Sequence, residues 1–151
     1  LGELAGEYPI NLPDGEVFFA PQEGCAEGEF VADFFGPMGE NVYFKVKNGQ
    51  LVDVQNAAPE FEQELKNNPL AANVAEMGIG TNENALHIND ILEAEKIYGS
   101  THIAFGTNKS MGGEVDAGFH LDGVMLQPTV YGIDAAGQET MLIKEGEHVI
   151  I

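Results

Sequence analysis

Two alternating runs, Val42-Tyr43-Phe44-Lys45-Val46-Lys47 and Leu51-Val52-Asp53-Val54, flank Asn48-Gly49. That dipeptide accepts the positive φ angles of a type I′ turn, so the pattern predicts a β-hairpin. Val42, Phe44 and Val46 share one face of its first strand. On the second, period-two alternation sets Leu51 with Asp53 and Val52 with Val54. A shorter apolar run over residues 16–20, stopped by Pro21, predicts a buried strand, and residues 29–35 predict another. Gly36-Pro37-Met38-Gly39 predicts a loop between strands. Residues 1–15, broken by Gly2, Gly6, Pro9, Pro13 and Gly15, read as an extended lead-in with turns.

The period then changes. Residues 59–66 place Pro59 in a first helical turn, acidic residues near its N-terminus, and Phe61 four positions before Leu65. This predicts a short helix. A second is predicted over residues 89–98, capped by Asn89 and closed by Gly99. Residues 75–82 read as a short strand running into a glycine-rich turn. From residue 101 the pattern is β again, over 101–105, 114–126, 128–133, 140–144 and 147–151, with a turn at Ala135-Ala136-Gly137-Gln138. Many short strands with two short helices predict an α+β domain, mainly antiparallel. The length of 151 residues suits one domain. The start, Leu1-Gly2-Glu3-Leu4, has no initiator Met and no signal-peptide pattern, so residues 1–151 read as the C-terminal part of a longer chain.

Charge narrows the partners. The chain has 25 acidic residues, six lysines and no arginine, for a formal net charge of −19. Such a surface repels phosphate backbones and attracts cations, which argues against nucleic acid. No run of about 18 apolar residues predicts a membrane helix. The single Cys25 excludes an internal disulfide and fits a reducing, cytoplasmic setting. Its acidic neighbours Glu23 and Glu27 would raise a thiol pKa, so it does not read as an activated nucleophile. Gly78-x-Gly80 continues into Thr81-Asn82 without a lysine, so it is not a phosphate-binding loop.

Against this background a few polar residues in apolar or glycine-flanked positions stand out. His120 and Asp122 alternate on one predicted strand and point the same way, their Cα atoms roughly 7 Å apart. They suit either a satisfied polar pair or two ligands of one divalent ion. Glu16 opens an apolar strand, Glu76 stands between Ala75 and Met77, and His102 lies within a strand. Taken together, two imidazoles and three carboxylates can hold two divalent ions, one carboxylate bridging. Spacing alone is a weak signal here, because the five are far apart in sequence. Glu95 reads as a surface residue of the second helix, at best an orienting partner.

The segments Glu76-Met77-Gly78-Ile79-Gly80-Thr81-Asn82, Leu92-Glu93-Ala94-Glu95-Lys96, Thr101-His102-Ile103-Ala104-Phe105-Gly106 and His120-Leu121-Asp122-Gly123-Val124 carry a resemblance. In order, they resemble the catalytic half of the aminopeptidase T / aminopeptidase S family of metallopeptidases. Leu12-Pro13-Asp14-Gly15-Glu16 through Pro21 looks like that family's first metal-ligand segment, and the match runs across roughly residues 11–130. The resemblance implies that Glu16, Glu76, His102, His120 and Asp122 bind two zinc or cobalt ions. It also implies that Glu76 is ligand, base or both, and that the protein is a homodimer with a further N-terminal domain. The aminopeptidases carry a tyrosine shortly after the first ligand histidine. Here residues 106–113 have none, and Lys109 is either a substitute stabiliser of negative charge or a solvated loop lysine.

Three functions follow from these residues. The first is a metal-dependent aminopeptidase-like hydrolase acting on a peptide or small-molecule substrate. The second is a non-haem iron ring-cleaving dioxygenase, a chemistry found among relatives of the group, using His102, His120 and Asp122. The third is a non-catalytic metal-binding or dimerisation domain.

Overall fold

The computed structural model describes residues 14–86 and 89–149. Most of the expected lead-in therefore lies outside the described residues. Among the described residues ten strands are formed: β1 (Glu16–Phe19), β2 (Gly28–Phe34), β3 (Glu40–Lys47), β4 (Gln50–Gln55), β5 (Val74–Gly80), β6 (Thr101–Gly106), β7 (His120–Met125), β8 (Val130–Ile133), β9 (Glu139–Lys144) and β10 (Glu147–His148). Helix α1 (Pro59–Asn67) precedes β5, and helix α2 (Ile91–Ala94) precedes β6. Seven strands form one sheet in the order β1-β5-β6-β7-β2-β3-β4, and three form a second in the order β10-β9-β8. Their pairings are antiparallel. This is the α+β architecture that the hydrophobic pattern predicts. Among the described residues no helix is long and apolar enough to cross a membrane.

The large sheet curls until the turn of its far hairpin meets β5, next to the opposite edge. Val74 N donates to Gly49 O at 2.9 Å, and Gly49 N to Ala26 O at 2.8 Å. Inside the curl lies a phenylalanine core. Phe44 stands 5.0 Å from Phe30, 4.9 Å from Phe35 and 5.0 Å from Phe105, ring centre to ring centre, and Phe61 of α1 closes on Phe35 at 4.9 Å. Edge-on and stacked aromatic contacts at these distances add to the gain from burying the rings. Because β6 sends Ile103 and Phe105 into this core, alternation sends His102 and Ala104 to the opposite face.

Local structure departs from expectation at several places. The Asn48-Gly49 turn forms, with φ of 51° and 72°, but a bulge opposite Lys45 and Val46 shifts the phase of β4. Leu51 pairs with Val46 and Val54 with Phe44, so both reach the core side and Val52 is exposed. An extra residue in one strand reverses which side chains alternate. Strand β1 forms but is not buried: Val17 is 64% exposed and Phe19 54%. It pairs along one edge, with β5.

The second predicted helix shrinks to one turn. Asp90, not Asn89, caps it, its carboxylate accepting from Leu92 N at 3.0 Å. Beyond it the backbone turns to Asn82, whose N–H donates to Lys96 O and whose carbonyl accepts from Tyr98 N. Gly78 and Gly80, expected in a turn, lie inside β5. The predicted strand over 114–126 starts only at His120. Before it, the N–H groups of Glu114, Val115 and Ala117 donate to side chains of Glu23, Asn108 and Thr107 instead of a ladder.

Candidate metal centre

Four adjacent strands assemble one polar face by register. Glu76 of β5 lies opposite Ala104 of β6, which lies opposite Asp122 of β7. One step along, Phe18, Gly78, His102 and Val124 form the next row. Glu16 pairs with Gly80, and His120 with Gly106. Residues directly opposite in an antiparallel ladder point to the same side. The large side chains of this face therefore alternate with glycine and alanine on the neighbouring strand. A Cβ at Gly78 would collide with the His102 imidazole, and one at Gly80 would collide with Ile97 O and Ser100 Oγ. The glycines of β5 thus keep the room that the imidazole occupies.

The five residues singled out from the sequence converge. His102 Nε2 lies 3.1 Å from Glu76 Oε1 and 3.4 Å from Glu16 Oε2. His120 Nε2 lies 3.0 Å from Glu76 Oε2 and 3.4 Å from Asp122 Oδ1. Two donor groups result, Glu16–Glu76–His102 and Glu76–His120–Asp122, each with its ligand atoms within 4.8 Å of one another. Glu76 belongs to both and offers one oxygen to each. His120 Nδ1 donates to Thr107 O at 2.8 Å, which leaves Nε2 to face the carboxylates. A ligand imidazole is commonly oriented this way, by a bond from its other nitrogen. The buried Nδ1 of His102 has no such bond among the described residues.

The carboxylates of the cluster pull both imidazoles toward their charged forms. Burial alone would raise the Glu76 carboxyl, but hydrogen bonds from His102 and His120 outweigh it and hold it at about 2. Burial would lower His120, yet Asp122 and Glu76 raise it to about 11. His102 is raised too, against its burial, by Glu76 and Asp122. The carboxylates therefore demand positive charge, and oxygen and imidazole donors in this number suit divalent cations such as zinc. A cleft of about 270 Å³ opens over the group. Its polar wall includes Glu16, Glu76, His120 and Asp122, its apolar wall Phe18, Leu92 and Met111. His102 lies beneath it, fully buried.

Comparison with solved structures finds two of similar fold. AmpT of Thermus thermophilus, an aminopeptidase T, superposes with a TM-score of 0.75 at 23% identity, over 93% of this chain and 41% of that one. A 2,5-dihydroxypyridine dioxygenase of Pseudomonas putida KT2440 superposes with a TM-score of 0.70 at 20% identity, over 87% of this chain and 42% of that one. At these identities the likeness is one of fold. The chain spans about two fifths of the length of either neighbour. No protein-family model and no curated protein matches it.

Two further residues belong to the site, and a third does not. Glu95, read from sequence as a surface residue, is 6% exposed and lines the cleft. Burial, and then repulsion from Asp122, push its carboxyl up to about 7 against the bond from Lys96. Lys96 was not singled out at all, yet it has no exposed surface and its ammonium bonds both Glu16 and Glu95. In sequence it is one more scattered lysine at the end of a helical pattern. Lys109 remains outside: it is well exposed and lies 3.7 Å from Asp116.

Proposed function

We propose that this chain carries a two-metal hydrolase centre that removes the N-terminal residue of peptides. The observation that carries this reading is the sharing of Glu76 between two donor groups. Glu16 and His102 would complete one metal position, His120 and Asp122 the other. When bound, a pair of divalent ions such as zinc or cobalt supplies Lewis-acid polarisation of the scissile carbonyl and activation of water.

The chain's own groups supply orientation and proton traffic. Each oxygen of Glu76 faces a different imidazole, so Glu76 would serve both positions. Glu95, in the same cleft with its carboxyl raised to about 7, is in the range that lets a group take and return a proton near neutrality. Phe18, Leu92 and Met111 keep part of the cleft dry. Loaded with zinc or cobalt, the chain is expected to release free amino acid from unblocked dipeptides and leave N-acetylated ones intact. Equal cleavage of both, or of neither, would refute the reading.

The resemblance to the dioxygenase fold supports a second reading, with a single iron on His102, His120 and Asp122. The grouping of donors weighs against it, since His102 falls with Glu16 while His120 and Asp122 fall together. Oxygen uptake with Fe(II) and a dihydroxypyridine would separate the two.

Ligation also predicts a proton count. At neutral pH His120, raised to about 11, carries a proton that a metal must displace. Titration calorimetry of zinc into metal-free protein at pH 7, in buffers of different ionisation enthalpy, is expected to show release of about one proton or more per chain. Binding at surface carboxylates, already ionised at that pH, would release none.

A further inference from the structure

The ammonium of Lys96 is enclosed by the molecule. It bonds Glu16 Oε1 at 3.2 Å and the carboxylate of Glu95. The other oxygen of Glu16 lies 3.4 Å from His102 Nε2. The two oxygens of Glu16 are therefore divided, one to a lysine and one to the donor group. The backbone of Lys96 is pinned on both sides, its N–H donating to Glu93 O at 3.0 Å and its carbonyl accepting from Asn82 N at 2.9 Å. Taking an ammonium out of water is costly. A lysine whose only task was to balance charge could do so from the surface, as Lys45 does with Glu29 at half exposure.

We propose that Lys96 is a positioning residue for the first donor group. It holds Oε1 of Glu16, turns Oε2 toward His102 and Glu76, and so sets cation affinity at that position alone. The proposal rests on the two-position reading above. Glu16 is on strand β1, which among the described residues pairs with β5 along one side only. The lysine supplies a second anchor for its side chain, from the turn after α2. Fixing a ligand through an outer partner typically changes metal affinity by about 10–100-fold.

The test measures zinc affinity by competition with a chromophoric chelator in His120→Ala protein, which retains the first group. In that background Lys96→Met is compared with the pair Glu95→Gln/Lys96→Met, which neutralises Glu95 together with the lysine and leaves Glu16 as the one carboxylate that loses its ammonium partner. Zinc binding about 10–100-fold weaker in the pair is expected, with near-ultraviolet dichroism unchanged. In a Cys25→Ser background, Lys96→Cys protein alkylated in denaturant with 2-bromoethylamine and refolded regains the ammonium, and is expected to regain the affinity. Unchanged zinc affinity in the pair, or a loss that the restored ammonium does not repair, overturns the proposal. If His120→Ala protein with Lys96 intact binds no zinc, the two-position reading falls and takes the proposal with it. In protein with His120 present, the stronger prediction is that the Lys96 substitutions weaken one of two zinc steps and leave the other in place. Equal weakening of both overturns it.

Discussion

Replacing Glu76 by Gln is expected to empty both metal positions at once. The amide keeps the size of the side chain but removes the charge, and it leaves one oxygen where there were two. In the structure those two oxygens face different imidazoles, at 3.1 Å and 3.0 Å. One donor group loses its shared oxygen outright, and the other keeps only a neutral amide oxygen in place of a carboxylate. Losing a ligand shared by two ions should cost each position more than the roughly 10–100-fold that an outer-shell partner costs. Protein dialysed against zinc and then desalted should fall from two equivalents to none by elemental analysis, and metal-dependent peptide cleavage should vanish with them. His102→Ala and His120→Ala touch one group each and should each retain about one equivalent. If Glu76→Gln protein kept two, the bridging arrangement would be wrong. If each histidine variant lost everything, the two positions would not be separable.

How much of this was legible in advance depends on distance along the chain. His120 and Asp122 could be paired from sequence because two positions on one strand always share a face, and the structure puts their polar atoms 3.4 Å apart. The hairpin at Asn48-Gly49 was legible for the same reason, since its determinants are contiguous. What brings Glu16, Glu76 and His102 to the same place is the register of two strand pairs, β1 with β5 and β5 with β6. That register includes an irregularity between Val74 and Glu76 which decides the side on which Glu76 emerges. No local periodicity encodes it. Only the resemblance to a known family joins those residues ahead of the structure.

The errors have physical causes as well. Periodicity carried the second helix on to residue 98, but hydrogen bonds to Asn82 capture the chain after one turn. That capture is what buries Glu95 and Lys96 beside the cleft. On a regular exposed helix they would be the solvated pair they resemble. The apolar run at β1 was read as buried because Val17, Phe18 and Phe19 are large and apolar. Among the described residues only one edge of that strand is paired, and Phe18 lines the cleft. A run of apolar residues can serve a binding wall as well as a core.

Gly78→Val is the second substitution expected to act strongly, and its cause differs from that of Glu76→Gln. Gly78 touches no metal position. It lies inside β5, opposite His102 and Phe18, with a backbone conformation that other residues can adopt. The obstacle is the imidazole of His102, which occupies the space a side chain would need. His102 is fully buried and cannot swing into solvent. Either the ring or the strand must shift. Overpacking of this kind typically costs about 1–3 kcal/mol, seen as a lower thermal midpoint of the metal-free protein. The displaced Nε2 should also weaken zinc at the position shared with Glu16, while the position built on His120 and Asp122 keeps its affinity.

The cause can be isolated by removing the obstacle. In a His102→Ala background the added side chain has room, so the stability cost of Gly78→Val should shrink by most of its value. Residues in contact are expected to show such non-additivity. Measured as a double-mutant cycle by denaturant unfolding of metal-free protein, a coupling near zero would mean that the glycine is there for some other reason, and that the imidazole is not seated against the strand.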